Sequence, residues 1–281
     1  MKKLLFFILF FCFSLTPIYA KTIECAVIAD THLKPSKSAD TFTDSEKNLI
    51  FAIDSINRNK DIDFVVFLGD NIDKSTMESL ESFMNIVKNL NKPYYLVFGN
   101  HDSYAAGGVA KEDYSEYVHS VNKRQDKKET SFYFKAGAGA YGLILDGSSY
   151  VVPGKHGRYV PELVSEVNRF LKFKKKSMVF IFQHFPLIAP TDNISHETLD
   201  TDNINNMLLK HNNVVFIASG HYHHEKITLD ERGIYHISAS ALGARSASSG
   251  SGKYQVIKVD YDKKFLSYPS NIKVTVSDVK I

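Results

Sequence analysis

Apolar runs of about five residues recur along the chain, and segments with apolar residues at a spacing of three or four separate several of them. Continuous apolar runs are typical of strands buried on both faces, whereas the wider spacing is typical of helices that pack on a core. The runs predict strands at 22–30, 63–68, 94–98, 178–182 and 214–218. The wider spacing predicts helices at 43–59, 75–87, 160–176 and 200–210. This alternation predicts parallel strands joined by right-handed crossovers.

Local patterns refine these predictions at several points. Thr43 with Glu46, and Ser75 with Glu78, have the spacing of a capping box that opens a helix. The residues 136–140 alternate Gly and Ala between two apolar runs and predict a hairpin. The runs at 226–229, 234–238 and 254–261 have an antiparallel character. Residues 103–130 are charged and irregular, so we interpret them as a surface excursion, with a mobile lid as the alternative.

The first 20 residues have the pattern of a signal peptide. Lys2 and Lys3 precede an apolar run from Leu4 to Leu15, and Ala20 is a small residue at the predicted cleavage point. Twelve apolar residues are too few to cross a bilayer, which needs roughly 20. We therefore expect an exported, periplasmic or extracellular chain whose single mature domain is 21–281. If the segment is kept, it becomes a short tether, and no stable membrane span is expected.

Charge and cysteine content exclude some classes of function. The formal net charge is +3, and without Lys2 and Lys3 the 32 basic and 31 acidic residues nearly balance. That balance is not the basic footprint expected of a protein that binds duplex nucleic acid. After cleavage only Cys25 remains, which excludes an intramolecular disulfide and favours a buried apolar role in its strand.

Polar residues follow each of the five main apolar strands, where parallel sheets bind ligands. They are Asp30 and His32; Asp70; Asn100, His101 and Asp102; His184; and His221 and His223. Gly99 is expected to allow the tight turn before Asn100. A single such residue is more often part of a polar turn, but carboxylates and imidazoles at five strand ends together predict a metal site. Oxygen and nitrogen donors without a thiolate suit Mn²⁺, Fe or Zn²⁺.

These motifs resemble those of the calcineurin-like metallophosphoesterase superfamily. The resemblance rests on Asp30-x-His32, Gly69-Asp70, the segment 99–102, His184, and Gly220-His221-x-His223, and it covers nearly all of the mature chain. It implies an α/β fold in which a two-layer β-sandwich of mixed sheets is flanked by α-helices. It also implies two divalent metal ions per chain at the edge of the sandwich, and a small phosphate ester as substrate.

The resemblance also implies a role for each site residue. One ion would take Asp30, His32, Asp70 and His223, and the other would take Asp70, Asn100, His184 and His221, with Asp70 as the bridge. Two metals held this way generate hydroxide that attacks phosphorus. His101 would protonate the leaving oxygen, with Asp73 as the carboxylate that orients it. Asp102 is either a partner of a histidine ligand or a turn residue, Gln183 is a second candidate partner, and His224 has no expected role.

Departures from related subfamilies narrow the expected substrate. Lys74 stands where protein Ser/Thr phosphatases carry an arginine, and Asp73 stands where purple acid phosphatases carry a metal-bound tyrosine. The segments 29–33 and 69–73 look most like the small bacterial branch that includes cyclic-nucleotide phosphodiesterases. The loop 238–252 with Tyr254 is either a pocket wall or a structural loop.

Three functions remain open from the sequence. We favour an exported two-metal phosphoesterase, with phosphodiesters slightly preferred over phosphomonoesters. The alternatives are a non-catalytic interaction scaffold of the same fold and an extracellular metal-binding protein. The presence of His101 beside every expected ligand favours the enzyme, because a scaffold has no chemical need for a proton donor.

Overall fold

The computed structural model describes residues 19–37, 43–149, 151, 154–243, 252–264 and 267–281. Within them lie eleven strands and five α-helices. The strands are β1 (Tyr19–Ile28), β2 (Phe64–Phe67), β3 (Tyr94–Leu96), β4 (Phe132–Gly137), β5 (Ala140–Leu145), β6 (Met178–Gln183), β7 (Val214–Ser219), β8 (Lys226–Leu229), β9 (Tyr235–Ser238), β10 (Lys253–Lys263) and β11 (Ser270–Lys280). The helices are α1 (Asp44–Arg58), α2 (Met77–Val87), α3 (Lys111–Val121), α4 (Pro161–Phe173) and α5 (Thr201–Leu208).

The strands form two mixed sheets. The first has the order β11-β10-β1-β2-β3, and the second has the order β4-β5-β6-β7-β9-β8. Strands β1, β2 and β3 pair in parallel, as do β5, β6, β7 and β9. In the second sheet the parallel strands lie between the antiparallel strands β4 and β8, whereas in the first sheet they extend to the edge strand β3 and the antiparallel strands β10 and β11 lie on the other side. This confirms the predicted α/β sandwich.

Three apolar cores hold the layers together. Alternate residues of each central strand face opposite sides, so Val27 and Phe180 pack between the sheets while Ile28 and Ile181 face helices. Helices α1, α2 and α3 cover the first sheet, and α4 and α5 cover the second. Cys25 is buried between the sheets, as its strand pattern predicted. Both sheets are therefore fixed relative to each other and to their helices.

The two predicted capping boxes had different outcomes. Thr43 caps α1, with its hydroxyl and the Glu46 carboxylate each accepting from the other's main-chain N–H. The prediction of a capping box that begins at Ser75 was wrong, because the residue that caps α2 is Thr76, whose hydroxyl accepts from Ser79 N. Ser75 is used elsewhere: its hydroxyl donates to Asp102 O and accepts from Val109 N. The polar side chain ties the loop before α2 to the loop after β3.

Residues 103–130 are not the solvated excursion that their charge predicted. They contain α3, and its residues Tyr114 and Val118 are buried in the core beside the first sheet. Beyond the helix, the buried Gln125 amide accepts from Leu96 N and donates to Leu96 O, both at 3.0 Å. The segment therefore covers the open edge of β3 and forms part of the packed domain.

The start of the described chain bears on the predicted signal peptide. Residues 1–18 lie outside the described residues, while Tyr19 and Ala20 begin β1 and pair with Lys263 and Asp262 of β10. Cleavage after Ala20 remains a prediction. No helix in the described ranges combines the length and apolar character that a bilayer crossing requires.

Candidate metal centre

The polar residues after five strands meet at one edge of the sandwich. The loops after β1, β2 and β3 come from the first sheet, and those after β6 and β7 come from the second. Two contacts join the sheets here: His184 Nδ1 bonds Leu68 O at 2.8 Å, and His221 N donates to the Asp30 carboxylate at 3.0 Å. The structure brings together all seven residues that the resemblance implied as ligands.

The first group contains Asp30, His32, His223 and Asp70. His223 Nε2 lies 3.3 Å from Asp30 Oδ1 and 3.1 Å from His32 Nε2. His32 Nε2 is in turn 3.6 Å from Asp70 Oδ2. Three of these side chains are almost wholly buried, and that of His223 is 18% exposed. Four donor atoms are therefore aimed at one small volume.

The second group contains Asp70, Asn100, His184 and His221. His184 Nε2 lies 3.5 Å from Asp70 Oδ2, 3.3 Å from Asn100 Oδ1 and 3.2 Å from His221 Nδ1. The same Asp70 oxygen that approaches His32 thus approaches His184. Asp70 lies between the two groups, as expected of a bridging carboxylate.

Main-chain carbonyls hold the second ring nitrogen of three imidazoles. Besides the His184–Leu68 contact, His221 Nε2 lies 2.8 Å from Lys155 O and His101 Nδ1 lies 2.8 Å from Asp73 O. A carbonyl can only accept, so each of these nitrogens carries the proton. The opposite nitrogen is then left facing the site, which is how metal-binding histidines are usually oriented.

Asp73 contacts His101 in a different way from the one predicted. The contact is made by its main-chain carbonyl, while its carboxylate lies 3.8 Å from both His32 Nδ1 and Lys34 Nζ. The prediction that the Asp73 carboxylate orients His101 is therefore corrected. A ligand atom of His101 also lies within 4.8 Å of those of His32 and Asp70, beside the first group.

Five of the seven site residues adopt positive φ. The angles are 52° for Asp30, 43° for His32, 50° for Asp70, 72° for His221 and 54° for His223. Asp and His are among the few residues other than Gly that occupy this region with any frequency. Such strained backbone concentrates at functional sites, where the surrounding fold enforces it.

The glycines of the motifs make room for the site. A Cβ on Gly99 would collide with the backbone nitrogen and the carboxylate of Asp70, and one on Gly69, which has φ +89°, would lie 2.7 Å from His184 Nδ1. The turn expected at Gly99 is present, with Asp102 N donating to Gly99 O at 3.4 Å, but Gly99 does not have positive φ. It is required because Asp70 approaches closely.

The buried carboxylates and imidazoles shift each other's pKa. Burial raises the pKa of a carboxyl group, yet the imidazoles of His223 and His184 hold the pKa values of Asp30 and Asp70 below the usual range. For His184, burial is outweighed by Asp70, and its pKa rises to about 9. Burial and the neighbouring His184 lower the pKa of His221 to about 3. Without metal, positive charge at His184 therefore balances the carboxylates.

Asp102 is a structural carboxylate rather than a partner of a ligand. It accepts from Asn71 N at 2.8 Å, Gly99 N at 2.8 Å, Ile72 N at 3.2 Å and the Asn71 side chain at 3.1 Å. Burial and the charge of Asp70 raise its pKa to about 7. Its function in the fold is to fasten the loop after β2 to the loop after β3.

The two groups fit a pair of divalent ions. Donor atoms that share an ion with bonds of about 2.1 Å lie roughly 3.0–3.5 Å from each other, which is close to the separations seen here. The donors are carboxylate, imidazole and amide, as expected for Mn²⁺, Fe or Zn²⁺. Buried carboxylates without such compensation would be costly. The donor chemistry and spacing therefore favour metal at both groups.

One wall of the site was missed by the sequence reasoning. A cavity of about 320 Å³ lies over the two groups, and its lining includes Lys155, Asn193, His196 and Tyr222. These residues come from irregular loops with no strand-end pattern to mark them. Tyr254, proposed as a possible pocket residue, is instead buried against α1, where its hydroxyl bonds Ser55 Oγ. Residues 244–251 of the loop 238–252 lie outside the described residues.

A family match to "Calcineurin-like phosphoesterase" spans residues 24–225, which include every site residue. The chain belongs to the calcineurin-like phosphoesterase family. It is 27% identical over 208 residues to the "Probable glycerophosphodiester phosphodiesterase GpdQ" of Arcobacter nitrofigilis, covering 72% of each chain. It is 23% identical to the "3',5'-cyclic adenosine monophosphate phosphodiesterase CpdA" of Haemophilus influenzae, covering 72% of this chain and 70% of the relative.

A solved structure shares the calcineurin-like phosphoesterase fold of this chain. The dimetal phosphatase of Danio rerio superposes with a TM-score of 0.66, at 14% identity, covering 90% of this chain and 98% of that one. Family membership makes the protein a metal-dependent hydrolase of phosphoric esters. The small bacterial phosphodiesterase branch named from the motifs is confirmed as the source of its curated relatives.

Proposed function

We propose that this protein is an exported phosphoesterase with a binuclear metal centre and a preference for phosphodiesters. The observation that carries the proposal is the position of Asp70 Oδ2, within 3.6 Å of His32 Nε2 and 3.5 Å of His184 Nε2. A carboxylate oxygen shared by two sets of donors is what a pair of metals requires. Bound there, two divalent ions lower the pKa of water and neutralise phosphate oxygens.

The residues of the chain supply binding, orientation and a proton. Asp30, His32 and His223 would hold one ion, Asn100, His184 and His221 the other, and Asp70 both. The fixed carbonyl contacts keep the imidazoles in one orientation, so little reorganisation accompanies binding of the ester. The two carboxylates would be neutralised by metal in place of the proton on His184, which makes metal binding release protons.

His101 is the proposed proton donor. It is held by its Nδ1–H, which donates to Asp73 O, and its ring packs edge-on against His32 with centroids 4.8 Å apart. In its cationic form the ring carries a second proton on Nε2. That proton passes to the leaving oxygen as the ester bond breaks, while the Nδ1–H contact is kept.

The preference for diesters is supported by the relatives. Both curated relatives are named as phosphodiesterases, one for glycerophosphodiesters and one for a cyclic nucleotide. The cavity of about 320 Å³ is at the lower end of the range for small-molecule sites, which leaves room beyond a bare phosphate group. Hydrolysis of phosphomonoesters is the second candidate.

The test is hydrolysis of bis(p-nitrophenyl) phosphate by the purified chain with Mn²⁺, Fe²⁺ or Zn²⁺. We expect metal-dependent turnover that Asn100→Ala lowers at least a hundredfold, and a lower rate on p-nitrophenyl phosphate. Lys280→Ala, on the exposed edge strand β11, is the matched control. Equal background rates for wild type and Asn100→Ala would refute catalysis by this centre.

Metal content separates the enzyme from the two non-catalytic alternatives. Two metal equivalents by elemental analysis without turnover of either ester would favour a metal-binding protein. Neither metal nor turnover would favour an interaction scaffold.

Export is a separate part of the proposal. Intact mass and thiol content in denaturant test it, because removal of residues 1–20 leaves Cys25 alone whereas retention keeps Cys12 as well. Two thiols in the protein isolated from the cell would contradict cleavage.

A further inference from the structure

The wall formed by Lys155, Asn193, His196 and Tyr222 comes from three loops that are bonded to one another. Leu199 N donates to Gly157 O at 2.8 Å, and His156 Nδ1 lies 3.0 Å from Glu197 O. Tyr222, in the loop that carries the histidine ligands, donates its hydroxyl to Asn193 O at 3.1 Å. The wall is therefore joined directly to the metal centre, so its main chain has a defined position relative to the two donor groups.

Lys155 is positioned by a hydrogen bond of its main chain. Its carbonyl oxygen accepts from His221 Nε2 at 2.8 Å, which places its Cα beside a ligand. Its side chain is exposed and lines the cavity. Lys155 and His196 line the same cavity, so the ammonium and the imidazole belong to one wall. The cavity over the two donor groups thus carries a positive charge on this wall.

His196 contributes an imidazole ring to the same wall. Its centroid lies 5.3 Å from that of His221 and 6.0 Å from that of Tyr222. Its Nδ1 lies 2.7 Å from Ser195 Oγ, which donates to Asn193 Oδ1 at 2.7 Å. The Ser195 proton is committed to Asn193, so His196 Nδ1 is the donor in its own contact. Nε2 is left as an acceptor for a hydroxyl group.

We propose that Lys155, His196 and Tyr222 form a subsite for the alcohol that stays on the phosphate when the leaving group departs, and that this subsite selects against cationic alcohols. The proposal rests on the phosphoesterase function above. His101 packs against His32 of the first group, whereas the wall contacts His221 of the second group. An ester whose leaving oxygen faces His101 can therefore direct its other substituent toward this wall. An ammonium donor and an imidazole acceptor suit a hydroxylated, uncharged or anionic alcohol.

Charge selection is the part of the proposal that an experiment isolates. The substrates are p-nitrophenyl esters of phosphorylcholine and of 3,3-dimethylbutyl phosphate, which have the same shape and differ by one positive charge. The readout is the ratio of kcat/KM for the choline ester to that for its neutral isostere. A third ester, p-nitrophenyl 3-carboxypropyl phosphate, adds a negative charge.

We expect the ratio to be below one for the unaltered chain. Lys155→Gln should raise it about threefold, and Lys155→Glu about tenfold, since a change of two charges acts across about 7 Å of partly solvated space. The rate on the carboxypropyl ester should fall in the same order. Lys226→Glu, an exposed residue at the start of β8, is the charge-matched control and should leave the ratio within twofold.

The variants should keep the metal centre, because Lys155 supports His221 through its carbonyl group. Manganese binding unchanged by Lys155→Glu is therefore part of the expected result. A ratio that is the same in all variants, or that shifts as much in Lys226→Glu, would overturn the subsite. Absence of metal-dependent turnover on every ester by the unaltered chain would instead refute the proposed function.

Discussion

The side chains of the centre owe their positions to single atoms of neighbouring residues. Asp102 shows this most clearly, because one buried carboxylate accepts from four donors in two loops. Gly99 shows the same dependence, because the Asp70 loop occupies the space in which a Cβ of residue 99 would lie. Small changes at such positions should therefore act on the metal groups without touching a ligand.

Gly99→Ala tests this dependence. The added methyl group meets the backbone of Asp70, which cannot rotate away as a flexible side chain could, so the bridging carboxylate must move. We expect a loss of about 1–3 kcal/mol in the free energy of unfolding and at least a hundredfold loss of metal-dependent hydrolysis. Urea unfolding and kinetics at saturating Mn²⁺ measure the two effects.

Gly154→Ala is the matched control for stability. A Cβ there would meet only His156 O at 3.8 Å, an ordinary contact. We expect its free energy of unfolding to stay within about 0.5 kcal/mol of wild type. If both alanine variants behaved alike, the close approach of Asp70 to Gly99 would not be what requires the glycine.

At the level of residues, the sequence identifies the side chains that meet in the two groups but not the residues that support them. The ligands follow apolar runs, and carboxylates and imidazoles at strand ends are conspicuous. The carbonyls of Leu68, Asp73 and Lys155 that orient the rings have no sequence signature, because every residue has a carbonyl group. The same limit explains why the role of the Asp73 carboxylate was misjudged.

At the level of elements, the central strands and most helices could be predicted from the sequence. The strands at the edges of the sheets could not. Buried parallel strands produce long apolar runs, whereas β11 alternates exposed and half-buried residues and was missed. Helix α3 was misjudged because its sequence is mostly polar. Its few buried residues, such as Tyr114, pack from one side only.

Gln125 provides a test at this level. Its side-chain amide bonds the N–H and the C=O of Leu96 on the open edge of β3. Removing the amide leaves this buried donor and this buried acceptor without partners. Gln125→Ala should cost about 2–4 kcal/mol in the free energy of unfolding. Urea denaturation followed by circular dichroism gives this value. Lys128→Ala, a nearby exposed residue, should cost less than about 0.5 kcal/mol.

Hydrogen exchange adds a second readout for the same variant. The Leu96 amide should lose its protection in Gln125→Ala while amides at the centre of β6 keep theirs. Unchanged protection at Leu96 would show that the side-chain contact does not cover this edge.

At the level of the whole molecule, the centre depends on the docking of the two sheets. His184 comes from the second sheet and bonds a carbonyl of the first, and His221 N reaches Asp30 in the same way. Neither metal group is complete within one sheet. Metal therefore binds the folded chain and not its separate halves, which links metal binding to global stability.

This linkage predicts how metal removal affects unfolding. Free Mn²⁺ at about a hundred times its Kd should add about 2.7 kcal/mol for each of the two sites, which for a domain of this size raises Tm by about 10–20 °C in total. Treatment with EDTA should reverse the rise. In Asp70→Asn, which weakens both groups at once, Tm should respond to neither treatment. Differential scanning calorimetry measures all three conditions.

An equal rise of Tm with Mn²⁺ in Asp70→Asn would contradict a shared bridging carboxylate. Asp192→Asn, in an exposed loop, is the control and should respond as wild type does.

The positive φ angles at Asp30, His32, Asp70, His221 and His223 limit which substitutions report cleanly on this centre. Alanine at any of these positions removes a ligand and also changes how readily the chain accepts a left-handed conformation, so the two effects cannot be told apart. Asparagine tolerates that conformation and keeps the shape of aspartate. The same reasoning predicts that, among folded variants from random mutagenesis, Asn and Gly will occur at these five positions far more often than Val or Ile.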